Sequence, residues 1–572
     1  MRRDVAGLAK KDYDLVIVGG GIFGICAAWD AALRGLSVAL VERGDFAHAT
    51  SANCFKIVHG GVRYLQHADL YRIRESSRER NVLLRIAPHL VHPLPIVVPT
   101  YGHWLEGKEL LCAGLLAYGL ITFDRNWGIT DPQKCIPSGH IMSRHECLRL
   151  FPGLEKKGLT GGVIFYDAQM YSPARLALSF LKSAVGAGAD AVNYVGATNF
   201  LRNGNRVVGV EAEDVLTGSK VEIRGRVVLN AAGPWAEHLL KLQVGLRLNR
   251  ELTFSRDAYV VVSRRLSKNH ALAVQARTRD PDAVVSRGHR HLFLVPWRTY
   301  TLIGVWHAVH RGGPGEFTVT EEDIQGFLDE VNEAYPILQL TLKDVSLWNA
   351  GLILFGHNER EATDLSYGKR SELIDHGVTH GVDGLVTMVG VRFTTSRCVA
   401  EKAVDLVFRK LGKEKPKSWT ATTRISGGQL SCFDEFLQSS VEKGPPALPA
   451  ETMRALVYNH GSEYRKVLQY VDENPVWGET LPGSTTIKAE VAYAVDREMA
   501  QRLGDVVFRR TDLGTGGNPG EAALRACADI MAPKLGWDQV RVQKEMDEVR
   551  TAFPFQLRQR PLEHPSRGGV KS

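Results

Sequence analysis

YDLVIVGGGIFGICAAWDAALRGLSVALVE, residues 13–42, is the stretch that decides the fold. Residues 13–18 are an apolar run of strand length, and residues 37–42 (SVALVE) are a second. Between them lie the glycine turn Gly19-x-Gly21-x-x-Gly24 and an Ala-rich helical segment from Ile25 to Leu33. The order strand, turn, helix, strand predicts a βαβ unit with parallel strands. Glycines at this spacing allow a tight turn, close approach of the backbone to a pyrophosphate and close packing of helix on strand. The helix N-terminus offers unpaired N–H groups to the phosphates. Glu42 ends the second strand, where a carboxylate accepts hydrogen bonds from both ribose hydroxyls and repels a 2′-phosphate. A glycine turn alone says little; with the strand, the helix and the acid in place it predicts dinucleotide binding.

Outward from this unit, residues 69–86 are charged, helical in pattern and free of Pro and Gly. Their basic residues, Arg72, Arg74, Arg78, Arg80 and Arg85, with Glu75 and Glu79 between them, read as a solvated helix face. The apolar run at 110–122 has two readings, a buried helix or a segment dipping into a membrane surface. Ser172-Pro173 starts a helix by the rule of a capping Ser before Pro. Residues 190–229 read as a β-meander with turns at Asn203-Gly204 and Thr217-Gly218, ending in VVLNAAG at 227–233. More strands follow, among them 259–263 and 291–297, then a helix capped by Thr320 with Asp323 three residues on. Residues 384–390 predict a strand and Ser396 to Leu411 a helix. After about residue 415 the texture turns helical, with segments at 450–459, 462–471, 487–504, 519–534 and 538–552.

The chain has 572 residues, with 71 Lys and Arg against 63 Asp and Glu and 44% hydrophobic residues. That is the composition of a globular protein of several domains. The net charge of +8 is mild. It permits contact with anionic lipid or an anionic substrate, and no basic run interleaved with aromatics argues for nucleic acid. None of the eight cysteines forms a C-x-x-C pair, so zinc and thioredoxin chemistry have no support. Scattered thiols and an N-terminus without an apolar h-region predict a cytoplasmic protein.

Several ordered runs carry a family resemblance. They are Ala49-Thr50-Ser51; Lys56-Ile57-Val58-His59-Gly60-Gly61-Val62-Arg63-Tyr64-Leu65; Ala87-Pro88-His89-Leu90; and Asn230 to Trp235. Further on are Val295-Pro296-Trp297 with Ile303-Gly304, and Gly390-Val391-Arg392-Phe393-Thr394-Thr395-Ser396-Arg397. In the helical end they continue with Glu490 to Ala500, Arg509-Arg510-Thr511, Ile530-Met531-Ala532 and Leu535-Gly536-Trp537. Over roughly residues 12–553 the chain resembles the FAD-dependent glycerol-3-phosphate dehydrogenases, within the D-amino-acid-oxidase-like flavoproteins. The resemblance implies an α/β fold: a Rossmann-like FAD-binding domain, an antiparallel-sheet substrate domain and a C-terminal all-α cap. The FAD and substrate parts share residues 12–415. The FAD part is mainly 12–65, 173–236 and 384–411, and the substrate part mainly 88–170 and 250–380. The cap is 425–553, and 554–572 is a flexible tail.

The resemblance also implies the site. FAD would lie against Gly19, Gly21, Gly24, Glu42, Thr50, Ser51, Lys56, His59, Gly60, Gly61, Ala232 and Gly233. Thr394 and Thr395 would face the flavin edge from a helix N-terminus, which favours negative charge there. Arg63, Arg370, Arg392 and Tyr259 would form the catalytic and substrate-binding set, with Arg63 and Arg370 clamping a phosphate. The implied partners are a small phosphorylated substrate and a quinone acceptor at the inner face of a membrane, and a homodimer stays open.

Three positions depart from the family pattern. Trp348 is followed by Asn349-Ala350-Gly351-Leu352-Ile353-Leu354, so Ile353 stands where a substrate arginine usually stands. Tyr259 takes the place of an active-site histidine, and Trp306-His307 replaces Thr-Asp. Oxidation of sn-glycerol 3-phosphate is therefore weighed against oxidation of another hydroxyl or amine compound on the same fold. A non-catalytic or membrane-binding flavoprotein and an RNA-modifying flavoenzyme are further alternatives.

Overall fold

The computed structural model describes residues 1–103, 107–244, 246, 253–276, 290–355 and 371–553. The opening βαβ unit consists of β1 (Asp12–Val18), α1 (Ile22–Leu33) and β2 (Val38–Val41). Next come α2 (Leu70–Ile86), β3 (Val91–Tyr101), α3 (Lys108–Ile121), β4 (Leu159–Met170), α4 (Pro173–Gly186) and β5 (Asp190–Val192). The chain continues through β6 (Lys220–Asn230), β7 (Thr253–Val262), β8 (Ala271–Gln275), β9 (His291–Trp297) and β10 (Tyr300–His310). It returns by β11 (Val345–Phe355) and β12 (Leu385–Val389) to α5 (Ser396–Leu411).

Two sheets organise these elements. The first has a parallel core in the order β12, β6, β1, β2, β5. Its strands are apolar on both sides because both sides are covered. Helices α1, α4 and α5 pack on one face around Leu15, Ile17 and Trp29. The hairpin Val195–Asn203 with Arg206–Asp214 covers the other around Val16, Val18 and Val210. The second sheet runs β11, β7, β10, β9, β8, β3, β4 and then the short strand Ile57–Val58. Neighbours in it are antiparallel except β8 and β3. One face packs on the helix Glu321–Ala334, and the other carries Tyr259, Val261 and Trp297.

Two sequence expectations change. Helix α2 is not a solvated face: Arg72, Glu79 and Arg80 are buried. Arg80 donates to Asp167 at 2.8 Å, and Arg397 grips Glu79 through two donors. Arg80 and Glu79 are met by residues far along the chain, so the helix reads as solvated only when taken alone. The predicted helix at 487–504 ends at Glu498, where Met499 takes a left-handed φ of +56°. Asp505 then accepts from the backbone N–H groups of Gln501 and Arg502 at 2.8 and 3.0 Å and restarts the helical path. A helix at Phe433–Glu442 was not anticipated from the sequence.

That break aims the helical end at the first sheet. Residues 506–510 form one π-helical turn that carries Arg509 and Arg510. Arg510 binds the Asp45 carboxylate through two donors, both at 2.6 Å, and Arg509 adds a third at 2.5 Å. Asn193 donates to the same carboxylate at 3.0 Å. Burial pushes Asp45 up, but the two guanidinium charges and their hydrogen bonds outweigh it and hold the carboxyl below the usual carboxylate range. Arg175 pairs with Glu498 at 2.6 Å just beyond, also buried.

Breaking a buried pair leaves an uncompensated charge and costs about 3–5 kcal/mol. Arg510→Met should therefore raise amide hydrogen exchange at residues 193–195 and 498–511 by a local free energy of that size. Because the Asp45 pKa is lowered in the folded state, the pair stabilises above the ordinary carboxylate pKa. Its contribution is lost as pH falls through the folded value. The gap in denaturation midpoint between parent and Asp45→Asn should accordingly narrow on acidification below about pH 4. A gap that is flat with pH would contradict this assignment.

Candidate functional site

The C-terminal ends of β1, β6 and β12 meet at one cavity of about 1450 Å³. Single small-molecule pockets run to about 1,000 Å³, so a dinucleotide and a small substrate fit together. Gly19, at a φ of +112°, lies against β6: a Cβ there would meet the Ala231 carbonyl oxygen at 2.5 Å. At Gly24 a Cβ would fall 2.0 Å from the Gly19 carbonyl oxygen. Only glycine lets α1 start this close to both strands. Gly21 differs, because a Cβ there meets nothing nearer than Ser51 Oγ at 3.3 Å. Gly21 caps α1 without a side-chain hydrogen bond, and Ser51 Oγ accepts from the Ile22 N–H at 3.0 Å. The helix N-terminus thus opens on the cavity through groups suited to phosphate oxygens.

Glu42 lines the cavity and accepts from the N–H groups of Gly20 and Gly44 at 2.7 and 2.8 Å. Thr50, Ser51, His59, Gly61, Ala232, Gly233 and Thr394 also line it. Thr50 donates to the Leu352 carbonyl at 3.0 Å, which joins the loop to the second sheet. The first turn of α5 has no side-chain cap, so its N–H groups stand ready behind Thr394. These features suit FAD: a glycine cradle at one end, a carboxylate for the ribose and an uncapped helix start for the flavin edge.

Lys56, Gly60, Thr395 and Gly24 stand behind the wall. Lys56 has a φ of +62°, is buried, and turns its ammonium to the Tyr259 hydroxyl, 4.8 and 4.7 Å from the ring centres of Tyr259 and Trp297. Burial pulls this lysine down to about 7. Tyr259 lines the cavity, and burial drives its hydroxyl well above the usual phenol range. Arg63 and Arg392 line the cavity near Tyr64. Arg392 donates to Ser76 at 2.7 Å and pairs with Glu75 at 3.1 Å. Arg392 and Arg72 lie 5.3 and 4.3 Å from the centre of the Tyr64 ring, within cation–π range. Arg370 lies outside the described residues. Ile353 lines the cavity, with no donor to offer.

Two groups escaped the sequence reading. Asp167, buried in β4, sits 3.2 Å from His59 Nδ1. Burial pushes Asp167 up, but the hydrogen bond from His59, the Arg80 charge and the Gly60 N–H prevail and keep it ionised below the usual range. An acid inside an otherwise apolar strand was the signal available. The second group is in the helical end, where Arg502 and Arg509 line the cavity.

Two measurements test this geometry. Gly21→Val should fold yet bind no flavin, because its side chain points into open cavity, whereas Gly24→Ala should lose both fold and flavin; equal behaviour of the two would refute the cradle. A lowered lysine pKa means that the unfolded chain binds more protons between pH about 7 and 10. Stability of the parent relative to Lys56→Met should therefore rise across that interval, as read from denaturation midpoints.

The chain is similar over most of its length to known flavoproteins. Residues 14–390 match the DAO family of FAD dependent oxidoreductases, and residues 418–542 match the C-terminal domain of alpha-glycerophosphate oxidase. A glycerol-3-phosphate dehydrogenase of Synechocystis sp. is 31% identical over 557 residues, covering 96% of this chain and 97% of the relative. One from Mycobacterium leprae is 31% identical, over 94% of this chain and 87% of its own. The crystal structure of the glycerol-3-phosphate dehydrogenase from Bacillus halodurans, complexed with FAD, superposes with a TM-score of 0.74. It is 26% identical and covers 96% of both chains. The chain is an α/β enzyme of the FAD-dependent glycerol-3-phosphate dehydrogenase family.

Proposed function

We propose that this protein oxidises sn-glycerol 3-phosphate to dihydroxyacetone phosphate and passes the electrons to a quinone. The observation that carries the chemistry is the His59–Asp167 pair at the wall of the cavity. Oxidising a secondary alcohol needs a base for the hydroxyl proton and an acceptor for the hydride. Bound FAD supplies the hydride acceptor. His59 takes the hydroxyl proton: Asp167 holds its Nδ1, which leaves Nε2 for the substrate, and stabilises the imidazolium that results. Arg80 and the Gly60 N–H hold Asp167 in turn, at 2.8 and 2.6 Å. Arg63 binds the phosphate end, and Arg370 is its proposed second contact. Tyr64 and Tyr259 close the walls and exclude water. Arg392 stands between the phosphate and the uncapped start of α5.

The acceptor side has its own support. Helix α3 is not buried: Leu116 and Leu120 are 66% and 78% exposed, and Phe123 and Trp127 after it are exposed as well. No helix of the described residues is long and apolar enough to cross a membrane. The inner side of α3 packs behind the cavity wall, where the Tyr118 hydroxyl donates to the Gly60 carbonyl at 2.9 Å. This apolar face suits shallow contact with an anionic membrane, one helix away from His59. A quinone in the lipid would be reached from there.

Anaerobic mixing with glycerol 3-phosphate should bleach the bound flavin, and free glycerol should not. Bleaching by an amine or a phosphate-free alcohol instead would favour the alternative substrate reading. His59→Gln should lower kcat by about 10²–10⁴, and Asp167→Asn should also lower it, with flavin content retained. Unchanged kcat in His59→Gln would remove His59 as the base. The double variant Leu116→Glu/Leu120→Glu should keep turnover with a soluble dye while losing binding to anionic vesicles; retained vesicle binding would exclude α3 as the membrane contact.

A further inference from the structure

Helix α2 carries a buried cation that no step above uses. Arg72 sits in its first turn, and its side chain is 7% exposed. Asp69, the N-cap of the helix, accepts from the Arg72 backbone N–H at 2.9 Å and from its Nε at 2.7 Å. This grip folds the side chain back over the helix start. There the guanidinium lies 4.3 Å from the centre of the Tyr64 ring, in the short turn Val62–His67 that precedes α2. Nε is thereby engaged by Asp69. The two terminal nitrogens donate to no described residue, yet neither is sealed from open space, and Arg72 lines the cavity. Arg175, Arg397 and Arg510 are likewise buried, and each gives both terminal nitrogens to acceptors within the protein.

This cation stands beside the loop that presents His59. Gly61, two residues on from His59, packs on the same ring: a Cβ there would fall 3.2 Å from Tyr64 Cδ2 and 3.3 Å from Ser76 Cβ. Ser76, one turn beyond Arg72 on α2, accepts from Arg392 at 2.7 Å. Arg392 lies 5.3 Å from the centre of the Tyr64 ring and, like Tyr64 and Ser76, lines the cavity. Two guanidiniums thus meet at one ring. The acids nearby already hold cations: Asp69 pairs with Arg72, and Glu75 pairs with Arg392 at 3.1 Å and Lys402 at 3.0 Å.

A buried donor without an acceptor is costly, and a guanidinium can bind two phosphate oxygens at once. The Tyr64 ring and the bond to Asp69 fix the plane of Arg72 before a ligand arrives, so little freedom is lost on binding. A phosphate dianion leaving water needs more than one cation, and Ile353 supplies none. We propose that Arg72 is a substrate-binding residue: its two terminal nitrogens take the phosphate group, and Arg392, at the same ring, adds the second charge. The inference rests on the phosphorylated substrate proposed above and deepens it by naming a phosphate contact on α2.

Isothermal titration of inorganic phosphate into the flavin-loaded enzyme tests this, with steady-state turnover of glycerol 3-phosphate beside it. Arg72→Gln should weaken phosphate binding and raise KM for glycerol 3-phosphate, each by about 10- to 100-fold, while kcat at saturation falls far less. Arg72→Lys keeps the charge without the planar fork, so its phosphate affinity should lie between those of the parent and Arg72→Gln. Flavin content is read in each variant, and if Arg72→Gln loses flavin, Arg72→Lys decides. Phosphate affinity equal to the parent's in the flavin-loaded variant overturns the assignment, and if glycerol 3-phosphate still bleaches the flavin the proposed function stands without it. Phosphate binding that depends on Arg72, in an enzyme that glycerol 3-phosphate does not reduce, upholds the assignment and overturns the substrate instead.

Discussion

A single buried carboxylate ties the parts of this molecule together. Asp45 lies three residues past Glu42, in the loop that leaves the opening βαβ unit, and it receives Arg509 and Arg510 from the helical end. Asn193, from the turn after β5, meets it too. Three segments far apart in the chain thus converge on two oxygens. Removing Asp45 or its guanidinium partners strands a charge away from water, so the loop and the helical end are held in one arrangement. The same contact brings Arg502 and Arg509 to the cavity wall. The helical end is therefore part of the cofactor cavity, and an isolated 12–415 fragment would leave Asp45 without its cations.

The second constraint is steric. β1, β6 and the start of α1 approach so closely that Gly19 and Gly24 admit no side chain. That approach directs the α1 N-terminus at the cavity, while α5, packed beside α1 on the same face of the sheet, directs a second uncapped start at it. Two helix starts side by side at one cavity suit a cofactor with phosphates at its middle and a redox ring at one end. The antiparallel sheet then supplies the remaining wall, which Tyr259, His307 and Ile353 line.

Charge placement shows how much folding changes the meaning of a residue. Arg80 and Glu79 look like solvent-facing charges in a helix, yet both are buried with partners on β4 and α5. Arg80 holds Asp167, Asp167 holds His59, and His59 faces the cavity, so a residue of α2 sets the orientation of a group in the site. Lys56 is the reverse. Its run is part of the family motif, but its ammonium sits between two aromatic rings behind the wall.

By itself the sequence determined the βαβ unit, the glycine cradle, the acid closing β2, the meander and the start of α5. Each is written in a few consecutive residues: apolar runs of strand length, glycines at fixed spacing, a cap before a helix. Only the tertiary structure decided which charges are paired, because the partners of Asp45, Asp167 and Glu79 lie 87 to 465 residues away and carry no local signal. The break at Met499 was hidden for the same reason. Residues 487–504 have an unbroken helical pattern, and the turn that ends the helix early depends on Asp505 and on the pull of Asp45 across the domain boundary.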